Sequence, residues 1–246
     1  MKKCLMIATA VAGSALFAGD TITAATTFGA MCVDSATSNT VISVPWAGAD
    51  DGTAIKLANL ISTSNLSTGD KLYLYESETW YSYELNSTGS WEGKTTTSRP
   101  AGTAATTVES EKLLPRGTAM ILQRTDKTKP IILMGKYDTT AVTAVASPVS
   151  VPAGKSVLIG NPTTETKYIS VGSNGDVIEE IKDGGASKLY VYDTDHWTEE
   201  MTVQRFINGE WRDGKTYETL STGVPIAPGC GVRYISSSKA ASVTLN

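Results

Sequence analysis

The chain has 246 residues, with 21 basic and 25 acidic side chains, one histidine and three cysteines. Its Lys and Arg residues are scattered singly, whereas binding to phosphate backbones needs them clustered, so nucleic acid is excluded as a partner. No segment holds the roughly 20 consecutive apolar residues that a membrane-spanning helix requires.

In chain order, Lys2 and Lys3 precede an apolar run from Cys4 to Ala18 and a short stretch ending in Ala25. This is the layout of a secretory signal peptide, and the small side chains of Thr23 and Ala25 place cleavage before Thr26. Cys4 stands at the start of the apolar run, where a lipoprotein signal would need it at the end, so it is expected to leave with the signal. Removing Lys2, Lys3 and Asp20 leaves 19 basic and 24 acidic residues, a net charge of about −5 on a mature chain of about 220 residues. The expected location is the periplasm, the outer-membrane surface or the extracellular medium. In such an oxidising compartment Cys32 and Cys230 are expected to form a disulfide. Closing a loop of nearly the whole mature chain is worth about 4 to 5 kcal/mol in the simple entropy model. The alternative is two separate buried thiols.

An internal repeat organises the rest. KLYLYESETW at 71 to 80 and KLYVYDTDHW at 188 to 197 share Lys, Leu, two Tyr, two acids and a final Trp at identical spacing. Upstream, NTVISVP from Asn39 answers to KSVLIGNP from Lys155. Downstream, Trp91 answers to Trp211, and RGTAMI from Arg116 to PGCGVR from Pro228. Each of the last two segments is followed by an apolar strand, IILM at 131 to 134 and SVTL at 242 to 245. The expected organisation is a signal peptide at 1–25, a first β unit at 26–135 and a second at 136–246, each near the size of a small domain.

Within each unit the pattern is that of strands. Residues 54–61 show helical spacing for one or two turns at most. KLYLY and KLYVY alternate with the period of two that sends successive side chains to opposite faces of a sheet. The acidic ESET and DTDH segments then turn the chain back into WYSYEL and WTEEMTVQRFI. Asn208-Gly209 suits a type I′ hairpin, with Ser87-Thr88-Gly89 as its counterpart, and Trp91 or Trp211 opens a third strand. Residues 95–108 read as a surface loop and residues 136–154 as a strand with Pro-marked ends. The fold class is therefore all-β: two tandem related antiparallel units, sandwich-like and packed together.

FGAMCVDSATSNTVISVPW, the GDKLYLYESETWYSYEL block, LPRGTAMIL and IAPGCGVRYI resemble uncharacterised exported proteins found mainly in verrucomicrobial bacteria. The resemblance covers most of the mature chain. Its motifs are structural, so it implies kinship and architecture and transfers no catalytic residue.

For chemistry, Glu76, Glu78, Asp193 and Asp195 are acids at hairpin turns. A solvated turn explains them better than calcium or a glycosidase pair, because no Asp-x-Asp-x-Asp-Gly run is present and both copies carry them. His196 has no Gly-x-Ser-x-Gly partner motif and is too isolated for a metal site. No catalytic residue, metal ligand or cofactor is assigned. The binding candidates are Tyr73, Tyr75, Trp80, Tyr190, Tyr192 and Trp197, whose rings suit stacking on a glycan or a surface protein. Their alternative role is packing. The function expected is a non-enzymatic cell-surface or extracellular protein with a structural, adhesion or ligand-binding role. A subunit of a pilus-like or envelope assembly and an extracellular glycan hydrolase are the alternatives.

Overall fold

The computed structural model describes residues 5–7, 28–33, 39–46, 54–76, 79–96, 107–108, 112–136, 149–180, 202–214, 216–237 and 239–246. β1 (Leu5–Ile7) falls within residues 1–25, the expected signal peptide, and the first unit contains β2 (Phe28–Val33), β3 (Asn39–Ser43), β4 (Ala54–Lys56), the single helical turn α1 (Leu57–Leu60), β5 (Lys71–Glu76), β6 (Thr79–Leu85), β7 (Trp91–Thr96), β8 (Thr107–Val108), β9 (Leu113–Pro115), β10 (Ala119–Gln123) and β11 (Ile131–Lys136). The second contains β12 (Val149–Val151), β13 (Ser156–Gly160), β14 (Lys167–Ile169), β15 (Val177–Glu180), β16 (Thr202–Ile207), β17 (Glu210–Asp213), β18 (Val224–Ile226), β19 (Gly231–Ile235) and β20 (Ala241–Val243).

The two units share one plan. The main sheet of the first runs β3-β10-β5-β6-β7-β8 and that of the second β13-β19-β15-β16-β17, both antiparallel. The pair β4-β9 is matched by β14-β18, and β2-β11 by β12-β20. The chain is thus all β, with two related antiparallel units.

Register fixes which residues correspond. Ala119 pairs with Ser43 as Gly231 pairs with Gly160, and Leu85 pairs with Trp91 as Phe206 pairs with Trp211. The correspondences of Trp91 with Trp211 and of Arg116-Gly117 with Pro228-Gly229 follow directly. The type I′ hairpin is present, with φ of +54° at Asn208 and +87° at Gly209. Its counterpart turn is closed instead by the Asn86 side chain, whose Oδ1 accepts from the N–H groups of Thr88 and Ser90 at 3.0 and 2.9 Å.

One correspondence differs from the sequence expectation. The first strand of the second meander is Val177–Glu180, and KLYVY at 188 to 192 lies beyond it, outside the described residues. The reason is a buried aspartate at the head of each strand. Ser67-Thr68-Gly69-Asp70 and Ser173-Asn174-Gly175-Asp176 make the same turn, with Gly69 and Gly175 both at φ +90°. Asp70 Oδ2 accepts from the Ser67 N–H at 2.8 Å and Oδ1 from the Thr125 N–H at 2.8 Å. Asp176 Oδ2 accepts from the Ser173 N–H at 2.8 Å and Oδ1 from the Ser237 N–H at 2.7 Å. Each carboxylate ties its turn to the end of the neighbouring strand, satisfying buried donors that would otherwise be costly to orphan. Lys71 and Val177 therefore occupy equivalent places.

Each sheet turns one face into its own core. Ile42, Leu72, Leu74, Tyr83, Trp91, Met120 and Leu122 fill the first, and Ile159, Ile178, Phe206, Trp211, Val232 and Tyr234 the second. Trp91 and Trp211 are each 1% exposed. Burying a ring of that size removes roughly 150–250 Å² from water, about 4 to 6 kcal/mol of transfer free energy at roughly 25 cal/mol per Å². The duplicated tryptophans are core residues.

The opposite faces meet between the units, where Val41, Tyr73, Ala119 and Ile121 form a buried layer against Leu158 of the second unit. Small residues allow this approach: a Cβ on Gly160 would stand 2.5 Å from Ser43 Cβ and 2.7 Å from the Gly117 carbonyl oxygen. The Ser43 N–H donates to the Gly229 carbonyl at 2.9 Å, the Ser43 hydroxyl to the Asn161 carbonyl at 2.8 Å, and Arg116 Nε to the Pro162 carbonyl. Ile42 bridges to Cys230 as in an antiparallel sheet.

Cys32 and Cys230 are not joined by a disulfide, contrary to the sequence expectation. Alternation along β2 explains this. Met31 and Val33 are the residues of β2 that approach Gly229, and Cys32 between them takes the other face. Cys230 instead packs against both cores. Among the described residues no helix is long and apolar enough to cross a membrane.

Candidate binding cleft between the units

The sequence candidates separate by strand position. Tyr73 belongs to the buried layer between the units: it is 3% exposed, and its hydroxyl donates to Gln123 Oε1 at 3.2 Å. Packing is its role. Tyr75, two residues on and on the same face, pairs across the sheet with Trp80. Their ring centroids are 5.0 Å apart with the planes tilted by 46°, a favourable arrangement for two aromatic quadrupoles. Trp80 also leans on the buried layer around Tyr73, so it holds Tyr75 in place. Tyr190, Tyr192, Trp197, Glu78, Asp193, Asp195 and His196 lie outside the described residues.

Tyr75 is the first unit's contribution to a cleft of about 320 Å³ whose other walls come from the second unit: Val149, Ser150 and Pro152 on and just after β12, Lys155 just before β13, and Ser156, Val157 and Leu158 along it. That volume is in the range of small-ligand sites. The walls combine an aromatic ring and apolar side chains with three hydroxyls and one ammonium, which suits an uncharged or partly polar ligand held by stacking and a few directed hydrogen bonds.

Behind Ser156 lies a charged pair that the first unit lacks. Register places Glu179 where the first unit has Tyr73, and Arg233 where it has Ile121. Arg233 Nη1 stands 3.5 Å from Glu179 Oε2, and Nη2 donates to the Ser156 hydroxyl at 3.3 Å. Burial pushes the Glu179 carboxyl above its ordinary pKa, and Arg233 pulls it partly back. The duplicated face has thus become apolar and closed in one copy, and polar in the other.

Lys155, Ser156, Arg233 and Glu179 were not candidates from sequence. KSVLIG enters the sequence reading only as the counterpart of NTVISV, and Glu179 and Arg233 gain meaning only once the two Gly-Asp turns are aligned. No family model, curated protein or solved structure matches the chain.

Proposed function

We propose that this chain is an exported, non-enzymatic binding protein of the cell surface or extracellular space, and that its ligand site is the cleft between its two β units. The observation that carries the reading is that Tyr75 of one unit and residues of β12 and β13 of the other, Val149 and Leu158 among them, line one half-open cleft of ligand size. A site built from both copies has a reason to keep the duplication. The N-terminal charge and hydropathy pattern supports export, and the Tyr75 ring, held against Trp80, supports a recognition surface in the cleft.

The test is a binding screen of the exported chain against glycan arrays and surface-protein extracts, repeated with Tyr75→Ala. Captured ligands should be lost at least tenfold in the variant while its melting temperature stays close to wild type. Ligands retained by Tyr75→Ala would place recognition elsewhere and refute the cleft.

A further inference from the structure

We propose that the ligand of this cleft is an acidic saccharide, its carboxylate seated at Lys155 and Ser156 while the face of its sugar ring lies on Tyr75. The inference rests on the cleft reading above and names its ligand class. The polar side chains around the cavity are Tyr75, Ser150, Lys155 and Ser156, and among the described residues that line it none carries a carboxylate. The Lys155 ammonium can only donate, and no ion pair among the described residues includes it. The Ser156 hydroxyl already accepts from Arg233 Nη2 at 3.3 Å, which leaves its own proton for a further acceptor. A ligand in this cleft therefore meets donors, and an ionised pair of oxygens satisfies several donors at once through the stronger, charge-assisted kind of hydrogen bond.

The charge behind the wall points the same way. A buried ion pair adds little to stability, because desolvation offsets the attraction and apolar residues of similar volume serve as well. This fold displays that alternative in its own first unit, where Tyr73 and Ile121 fill the places of Glu179 and Arg233. Packing therefore does not account for the pair, whereas a fixed Ser156 hydroxyl and a positive field at the cavity do. Lys155 and Arg233 outnumber Glu179, and burial favours the neutral form of that carboxyl, so this wall is positive on a chain of formal net charge −4. Tyr75 selects the carrier of the carboxylate. Its ring is held against Trp80 at 5.0 Å and offers a flat apolar surface of fixed orientation, which the C–H face of a pyranose covers and the thin side chain of an acidic peptide does not.

The probes are trimers of galacturonic, glucuronic and mannuronic acid, the methyl esters of the same trimers, and triglutamate, each titrated calorimetrically into the full chain. The ester keeps the rings and their linkages and removes only the charge. At least one acid trimer is expected to bind, and its ester to bind at least tenfold more weakly. The acid should also weaken at least tenfold in Lys155→Met and in Tyr75→Ala, and on added salt, which screens the contact. Lys155 is exposed, so Lys155→Met should melt with the wild type and isolates the ammonium from any folding defect. An acid and ester that bind equally in a Tyr75-dependent way overturn the carboxylate seat and leave the cleft reading standing. An acid trimer indifferent to Lys155→Met overturns the seat as well. Triglutamate that binds through Lys155 while every saccharide is silent overturns the saccharide. Silence from all the probes overturns the whole inference, and the cleft then stands or falls on the Tyr75-dependent capture described above.

Discussion

The buried aspartate of the second unit gives the sharpest test of how the repeat is held together. Asp176 is fully buried and accepts from two backbone N–H groups and from the Tyr234 hydroxyl. In Asp176→Ala all three donors lose their acceptor in a site that water does not reach, at about 1 to 3 kcal/mol each. The expected loss is about 5 kcal/mol, comparable with the whole stability of a marginal domain at roughly 5 to 15 kcal/mol. Asp70→Ala orphans two donors and also takes the neighbouring carboxylate from the buried Arg124 guanidinium, so it should cost a comparable amount. Adding Tyr234→Phe to Asp176→Ala removes one of the orphans, so the double variant should be more stable than Asp176→Ala by about 1 to 2 kcal/mol even though it deletes a further polar group. Asp176→Asn keeps one good acceptor and provides a milder form that folds. Urea unfolding followed by tryptophan fluorescence reads all of these, since the Trp211 ring lies 6.0 Å from that of Tyr234. A loss below about 1 kcal/mol in Asp176→Ala, or a Tyr234→Phe addition that makes matters worse, would refute the reasoning.

Other outcomes follow from the interface and the charged pair. Gly160→Ala places a methyl group 2.5 Å from Ser43 Cβ and 2.7 Å from a carbonyl oxygen, so it should destabilise by about 1 to 3 kcal/mol and split a single urea transition into two. A single unsplit transition at the wild-type midpoint would count against the tight contact. Because the Glu179 carboxyl titrates above its ordinary value in the folded chain, its contribution to stability is present below the unfolded pKa near 4.5 and is lost as pH rises through the folded value. Glu179→Gln should flatten the part of the stability profile that lies above about pH 4.5, and an unchanged slope would refute the assignment. With the sulfurs of Cys32 and Cys230 unbridged, the chain denatured without reductant should react with a thiol reagent at both positions. Added reductant should leave the urea midpoint unchanged, and a midpoint that falls would show a bridge.

The strand content, the meander and the duplicated tryptophans were legible because they rest on local periodicity and on identical residues at core positions. The type I′ turn at Asn208-Gly209 was legible for a related reason, since both positions need positive φ. The alignment of the first meander strands was not. KLYLY and KLYVY are alike letter by letter, but the register is held by the side chains of Asp70 and Asp176, and their partners Thr125 and Ser237 are more than 50 residues away in sequence. Such ties leave a signature of only a Ser-x-Gly-Asp quartet. The disulfide expectation used compartment and cysteine number, which say nothing of which face of β2 Cys32 occupies. Tyr73 and Tyr75 differ by one pleat repeat, and only the second unit's placement over the sheet determines that one is sealed and the other reaches the cleft.

The turn at Gly229-Cys230 completes the first unit: the Gly229 carbonyl accepts from the Ser43 N–H, and Cys230 bridges to Ile42. For a chain emerging from its N-terminal end, this means that the earlier half stays unfinished until almost the last residues are free. Its sheet face is apolar at Val41, Tyr73 and Ile121 in the meantime, so the waiting half needs shelter from sticking to its neighbours. Closing both halves together relieves that hazard and makes the pair a single cooperative object that cannot be cut into two working pieces.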